Sequence, residues 1–136
     1  MPPIARRLAD LLVDPHETLD VEHKEWIDIA GNNDHRATLA KALIALANHG
    51  GGFLIIGFAQ TMQGIVPARN RPVNLSAYTP DTVNAVVAAY AEPSFHCDVN
   101  IVAGEDGLQY PIISIPGGHR VVSLSKPRET VPTARS

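Results

Sequence analysis

The segment from Glu17 to Lys24 holds the side chains of this sequence that are best suited to chemistry. Two carboxylates, Glu17 and Glu22, lie five positions apart, and Lys24 follows the second by two. Neighbouring carboxylates can bind a divalent metal, and a nearby lysine can neutralise a phosphate or a developing oxyanion. The Glu-x-Lys spacing is also common as an ordinary ion pair on exposed strands. Spacing alone therefore favours the ion pair and leaves the catalytic interpretation open.

Basic side chains form the second candidate set, although the chain as a whole is not basic. It carries 11 Lys and Arg against 14 Asp and Glu, for a formal charge of -3. Nucleic-acid binding would therefore need a local cluster. The basic residues on predicted loops and exposed helix faces are Lys24, Arg36, Lys41, Arg69, Arg71, Arg120, Lys126 and Arg128. If folding gathers half of them, a groove that tracks phosphates results; the alternative, which composition favours, is a scattered solubilising surface.

Several other kinds of site are not expected. The six histidines show no pair at i, i+4 spacing, so we predict no structural zinc site. The glycines at 50–52 follow a helix and precede a strand, which is the reverse of a phosphate-binding loop. The single Cys97 is predicted to be an inert core thiol. Trp26 could stack on a base, but packing under the first helix is favoured.

The sequence contains no segment that predicts a membrane protein. It lacks the apolar run of a signal peptide and the roughly 20 apolar residues that cross a bilayer. We therefore expect a cytoplasmic protein with no membrane partner.

Residues 42–58 predict the unit around which the rest of the chain packs. A helix ends in this stretch, since Leu43, Ile44 and Ala47 recur at helical spacing. Three glycines at 50–52 stop it, and the following run FLIIGF is typical of a strand that is buried on both faces. A helix that leads through glycines into a buried strand predicts a central strand of a sheet.

The segments before this unit predict a helix and a strand. Residues 3–13 form an amphipathic pattern, interpreted as a lid on the core, with a partner-binding arm as the alternative. Residues 21–28 alternate without a cleanly apolar face, which indicates a half-exposed strand near an edge. The next helix is expected to begin at Asn33 or Asp34, either of which can cap it, and to run to about His49.

The segments after it predict a return strand near Ile65, a helix and a hairpin. The helix begins at the cap Thr79 with Pro80 behind it, and ends before Pro93. Its buried stripe is predicted to be Val83, Val86, Val87 and Tyr90. Two strands joined by the turn 105–107 follow, then a short element at 120–125 and a frayed tail at 126–136. The order (α)βαβαββ predicts one α+β domain over 1–136, two-layered, with helices on a mixed four-stranded sheet.

Two sequence blocks at this separation resemble the AlbA-like domain of the Schlafen family. VEHKEW at 21–26 is similar to the family's V-E-F/Y-K strand, and ALANHGGGFLIIGF at 45–58 to its A-x-A-N-x-x-G-G-x-L-x-I-G-V block. Together with a strand pair that closes near IPGG, the resemblance covers roughly residues 15–125. It implies an AlbA-like fold and binding of DNA or RNA. In animal Schlafen proteins it also implies metal-dependent cleavage of structured RNA by three carboxylates.

The resemblance assigns roles to particular residues and also shows one departure. The family's first two acids fall on Glu17 and Glu22, as catalytic residues and metal ligands, and its lysine falls on Lys24. The third acid is expected just after the I-G-V strand, where this chain has Ala59 and Gln60. Two carboxylates hold Mg²⁺ or Mn²⁺ less well than three. We therefore expect no cofactor, and one of these ions only if the protein is a nuclease.

Three functions follow from the sequence. The first is a nucleic-acid-binding domain without catalysis, for example in a transcriptional regulator. The second is a metal-dependent endoribonuclease that uses Glu17, Glu22 and Lys24. The third is a dimeric interaction or regulatory module that has lost the nucleic-acid surface. In the first, the phosphate contacts are expected from Lys24, Arg36, Lys41, Arg69 and Arg71.

Overall fold

A computed structural model describes residues 3–117 and 123–124 of the chain, which fold as helices packed on a mixed sheet. The α+β prediction is confirmed. Predictions for the tail and for Arg120, Lys126 and Arg128 lie outside the described residues. The elements in chain order are α1 (Pro3–Val13), β1 (Val21–Lys24), α2 (Asn33–Asn48), β2 (Gly52–Ile56), β3 (Phe58–Thr61), β4 (Gly64–Pro67), α3 (Pro80–Tyr90), β5 (Ala91–Glu92), β6 (Asp98–Ala103), β7 (Gln109–Ile115) and β8 (Ser123–Leu124).

The main sheet has the strand order β1-β2-β7-β6. Strands β1 and β2 are parallel, with Glu22 opposite Leu54, whereas β7 runs antiparallel to both β2 and β6. The predicted central strand β2 is therefore internal, and β1 lies at an edge as predicted. A parallel β1–α2–β2 unit places the start of α2 at the carboxyl ends of β1 and β2.

Helix α2 is capped by Asn32, whose side chain accepts from the His35 amide, so the predicted cap at Asn33 or Asp34 is wrong by one or two residues.

Glycine is required after α2 by the close approach of other backbone. Gly51 has a φ of +95°, and a Cβ there would lie 2.7 Å from the Ile115 carbonyl oxygen. Only glycine combines that backbone conformation with that contact.

The segment after β2 differs from its prediction. The sequence predicted only a return strand near Ile65 here, but two strands, β3 and β4, pair as an antiparallel hairpin that forms a second sheet. Gly57 separates β2 from β3 at a φ of +109°. This bend takes β3 out of the main sheet, and a single glycine among apolar residues does not predict such a change of direction.

Helix α3 forms as its sequence predicts. Thr79 accepts from the Thr82 amide at 3.1 Å, and Pro80 occupies the first turn. All four residues predicted for the buried stripe are buried. The predicted short element near the end of the chain includes β8, which pairs with β5.

The core lies between the main sheet and the helices. Its fully buried side chains include Leu8 of α1, Leu43 of α2 and Ile113 of β7, so α1 covers the core as predicted. Cys97 is buried as predicted, and burial raises the pKa of its thiol to about 12. Within the described ranges, none of the helices is long and apolar enough to cross a bilayer.

Candidate nucleic-acid interface

Strand β1 presents Glu22 and Lys24 on one face, because alternate residues of a strand share a face. The Lys24 Nζ lies 3.7 Å from the Glu22 Oε2, and each side chain is about one-third exposed, at 34% and 32%. The two form a partly exposed ion pair, which is worth little in stability. The lysine therefore reaches solvent, but a carboxylate accompanies it.

Glu17 takes a different position from Glu22. Its Oε2 accepts from the His23 amide at 2.9 Å and lies 3.8 Å from the His23 Nδ1. The amide of His23 points to the open edge of β1, because the flanking carbonyls of Asp20 and Lys24 accept from β2 and Gly57. Glu17 thus covers an unpaired donor of an edge strand, which limits pairing with other chains.

The geometry therefore gives each candidate carboxylate its own partner. Glu17 contacts His23, and Glu22 contacts Lys24. Ala59, at the position where the resemblance expects an acid, lies on β3. Among the residues that the structure describes, no group of three or more His, Cys, Asp or Glu could hold a metal ion.

His23 is a buried histidine whose ring has no hydrogen bond. Its side chain is only 3% exposed, and neither ring nitrogen has a partner within the described chain. Phe58 packs edge-on against it at 5.7 Å. Burial lowers the pKa of His23 below its ordinary value of 6.5, while the nearby Glu17 charge opposes this shift. The imidazole packs as part of the core, where burial favours its neutral form.

Arg71 is held in place by aromatic rings and a backbone carbonyl. Its guanidinium carbon lies 4.8 Å from the centroid of Trp26 and 4.9 Å from that of Tyr110. Its Nη2 donates to the Gln109 carbonyl at 2.5 Å. Such cation–π contacts stabilise a fold. Arg71 therefore contributes to packing, a role that its position in a loop did not predict.

Trp26 is buried, with 5% of its surface exposed. Tyr78 meets it edge-on at 5.8 Å, and Tyr110 stacks at 6.1 Å, so its aromatic neighbours come from the segment before α3 and from β7. The sequence predicted instead a half-buried ring under the first helix. The ring is therefore part of the core, and it also lines the cavity described below.

The turn between β6 and β7 adds an acid beside Arg71 that sequence reasoning missed. The Tyr110 hydroxyl donates to the Asp106 Oδ2 at 2.5 Å. Slight burial would raise the pKa of Asp106, but the bonds from Tyr110 and the Leu108 amide and the charge of Arg71 lower it overall. Burial, followed by the bond to Asp106, raises the pKa of Tyr110. The sequence signal that could have revealed this cluster is an aspartate in a turn, four residues before a tyrosine on the next strand.

Four of the five predicted phosphate ligands belong to segments that meet at the carboxyl end of β1 and β2. Lys24 ends β1, and Arg36, near the start of α2, donates to the Ile29 carbonyl at 3.0 Å. The Ala68 amide donates to the Gly57 carbonyl just after β2, which brings the loop with Arg69 and Arg71 to the same end. Arg69 is exposed there. The fifth residue, Lys41, is exposed further along α2.

A cavity of about 320 Å³ opens at this end of the sheet. It lies between the segment that follows β1 and the loop that precedes α3. Its lining residues are Trp26, Ile27, Asp28, His35, Asn70, Pro72, Asn74, Ala77 and Tyr78. The cavity lies outside the carboxyl ends of the parallel strands, which is where ligands bind in open α/β sheets.

Comparison with known proteins identifies the fold. No protein-family model and no curated protein sequence matches the chain. A solution NMR structure does: the N-terminal domain of a protein from Nitrosomonas europaea that is named as related to the ATP-dependent DNA helicase RecG. The match has 18% identity and a TM-score of 0.53, and it covers 100% of this chain and 94% of the other. At 18% identity, the match shows only that the two chains share a fold.

Proposed function

We propose that this protein is a nucleic-acid-binding domain of the AlbA-like type that contacts phosphate backbones and catalyses no reaction. The observation that carries the proposal is that the segments bearing Lys24, Arg36, Arg69 and Arg71 meet at one end of the sheet. The fold shared with a domain of a protein named as related to a DNA helicase supports it. So does the resemblance of VEHKEW and the glycine block to the Schlafen family.

The four cations contribute unequally. Arg69 is exposed, and no described residue forms a hydrogen bond or ion pair with its side chain, so it is the most available phosphate ligand. Arg36 uses Nη1 on the Ile29 carbonyl and keeps further N–H groups, because a guanidinium has five donors. Lys24 is shared with Glu22, and Arg71 with Trp26 and Tyr110. Asp28 and Asp106 lie at the same end, which limits the positive potential and predicts modest affinity.

A salt titration tests the proposal. Binding of fluorescent duplex and single-stranded DNA and RNA would be followed by anisotropy from low to moderate salt. If about four phosphates are neutralised, log affinity falls against log salt with a slope of about -3.6. Arg69→Ala should reduce the magnitude of this slope by about 0.9. Affinity that does not change with salt, or no binding at low salt, would exclude the proposal.

Lys41→Ala is the matched control, because it removes the same charge from an exposed site. Its Cα lies about 7.5 Å further along α2 than that of Arg36, five residues at 1.5 Å each. We expect a smaller effect than that of Arg69→Ala. An equal effect of the two substitutions would indicate that the interface lies on the face of α2 and not at the end of the sheet.

The nuclease alternative remains testable. It would use Glu17 and Glu22 as ligands of Mg²⁺ or Mn²⁺ and Lys24 to stabilise charge. Structured RNA would be incubated with Mn²⁺ and either the wild-type chain or Glu22→Ala. Cleavage by the wild type that disappears in the variant would establish catalysis, and the positions of Glu17 and Ala59 lead us to expect none.

A dimeric interaction module is the third proposal, and the observation that favours it is the position of strand β6. This strand is the other edge of the main sheet, and its Ile101 is 40% exposed. Edge strands present unpaired N–H and C=O groups to other chains. Light scattering after size exclusion, with and without a short duplex, would reveal self-association that leaves nucleic acid unbound.

A further inference from the structure

The cavity beside Trp26 has polar atoms on its walls that no described residue pairs. Asn70 donates its Nδ2 to the Trp26 carbonyl at 3.1 Å, and its Oδ1 accepts from no residue that the structure describes. Asn74 uses its Oδ1 to accept from the amide and hydroxyl of Ser76, and its Nδ2 donates to none of the described residues. One group of each side-chain amide, the oxygen or the nitrogen, thus holds the asparagine in place, and the other group is available to a ligand.

Asp28 and His35 add a second acceptor and a second donor. The Asp28 Oδ1 accepts from the Gly31 amide at 2.9 Å, and its Oδ2 has no partner in the described part of the chain. The His35 Nδ1 accepts from the Asp28 amide at 2.7 Å. Because Nδ1 accepts, the neutral imidazole carries its proton on Nε2, which is therefore a donor.

The remaining walls are apolar. Ile27, Pro72 and Ala77 line the cavity, together with the largely buried rings of Trp26 and Tyr78. The Tyr78 hydroxyl is already satisfied, because it donates to the Ile27 carbonyl and accepts from the Ile27 amide. The volume of about 320 Å³ is at the lower end for ligand sites. The site therefore fits a small, flat molecule with both donors and acceptors.

We propose that this cavity binds a guanine base, with Asp28 accepting from its N1–H and N2–H groups. A carboxylate repels phosphate, and it also disfavours adenine, whose N1 is an acceptor. A simple amine would leave the His35 and Asn74 donors unpaired, whereas guanine presents the acceptors O6 and N7. Unpaired polar groups at a site cost affinity. Guanine is therefore the base whose donors and acceptors pair with these side chains while its flat ring contacts the apolar walls.

This inference deepens the proposed function, and it rests on that function for the source of the base. A strand whose phosphates meet Arg69 and Arg36 would pass the mouth of the cavity, which lies at the same end of the sheet. The base would supply selectivity, and the backbone would supply most of the affinity. The same base could instead come from a free nucleoside, so the two sources need separate measurements.

Fluorescence provides a direct measurement, because Trp26 is the single tryptophan of the chain and lines the cavity. Guanosine, adenosine and cytidine would be titrated with correction for their absorbance. We expect saturable quenching by guanosine at concentrations at least about tenfold lower than for adenosine. Guanosine lacks a phosphate, so this result is independent of the backbone contacts. No saturation with guanosine, or equal response to adenosine, would overturn the proposal.

Two variants locate the bound base. Asp28→Asn keeps the acceptor for the Gly31 amide but removes the charge, and it should weaken guanosine binding about tenfold or more. Ala77→Leu fills the cavity and should abolish binding. Glu105→Gln removes one exposed charge from the β6–β7 turn and should leave guanosine binding unchanged. Unaltered binding in Asp28→Asn would overturn the assignment to this cavity.

Oligonucleotides then distinguish the source. A uridine tract with one guanine should bind more tightly than the uridine tract alone, and Asp28→Asn should remove that difference. If guanosine binds but both tracts bind equally, the cavity serves free nucleosides. If guanosine binds and neither tract binds at low salt, the proposed function fails while the cavity assignment stands.

Discussion

The guanidinium of Arg71 lies over the ring of Trp26, with 4.8 Å between its central carbon and the ring centroid. The two residues are far apart in sequence, and this contact joins the loop after β4 to the segment after β1. Arg71 also donates to Gln109 at the start of β7. A cation expected to contact phosphate is thus partly committed to holding the end of the sheet together.

Arg71→Lys should therefore destabilise the fold. Lysine keeps the charge but lacks the planar group that covers the rings and reaches the Gln109 carbonyl. We expect the free energy of unfolding to fall by about 1–2 kcal/mol. Urea denaturation followed by Trp26 fluorescence measures it. Arg69→Lys, at an exposed position in the same loop, should change stability by less than about 0.5 kcal/mol. Equal losses in the two variants would contradict the structural role of Arg71.

Gly57→Ala should be among the most damaging single-methyl substitutions in the chain. Its Cβ would lie 2.5 Å from the Trp26 Cζ2 and 2.8 Å from the Tyr110 Cδ1, at a φ of +109°. Collision and backbone strain together should cost about 3 kcal/mol or more. Gly64→Ala has a similar φ of +105° with nothing within 4 Å, and should cost about 1 kcal/mol. Thermal denaturation compares them, and similar losses would mean that Trp26 and Tyr110 are not packed on Gly57.

Glu22→Gln should strengthen nucleic-acid binding. The substitution removes a carboxylate 3.7 Å from Lys24 and frees the lysine for phosphate. Because the pair is partly exposed, we expect a gain of about threefold at low salt that vanishes at high salt. Anisotropy with labelled RNA measures it, beside Glu92→Gln, at the exposed position of β5, as the charge-matched control. Weaker binding in Glu22→Gln would indicate that the carboxylate itself contacts the ligand, as a metal site requires.

The sequence predicted the elements whose causes are local. The cap at Thr79 and the glycine stop after α2 each act within a few residues, and both were correctly placed. The strand predicted over residues 21–28 ends already at Lys24, so its alternating pattern was correct only for the first half. The meeting of the segments that carry Lys24 and Arg36 was also recoverable, because a parallel strand–helix–strand unit fixes which ends meet. The position of Arg71 was not, because it depends on rings that come from distant segments.

The sequence also did not predict that the two candidate carboxylates have different partners. Glu17 and Glu22 are close enough along the chain to share a metal, and only the hydrogen bond to His23 shows that Glu17 covers the strand edge. The direction in which an edge strand exposes its amides depends on which residues pair with β2. That register is set by the whole sheet and not by the spacing of the acids.

His23 makes the stability of the fold depend on pH. Burial lowers its pKa below the ordinary value of 6.5, against the opposing charge of Glu17 and with a further lowering by His16. As the pH falls through 6.5, the unfolded chain binds a proton that the folded chain does not, so the free energy of unfolding decreases. The decrease stops once the pH is below the folded-state pKa. Its slope is at most about 1.4 kcal/mol per pH unit.

His23→Leu should remove this dependence. Both ring nitrogens lack hydrogen bonds, so an apolar side chain should leave stability at pH 7 unchanged or raise it. Glu17→Gln should do the opposite: without the nearby negative charge, the pKa of His23 falls further and the loss of stability continues to lower pH. Urea denaturation at several values between pH 7 and pH 5 tests both variants. A His23→Leu protein that loses stability over this range as steeply as the wild type would show that another group titrates.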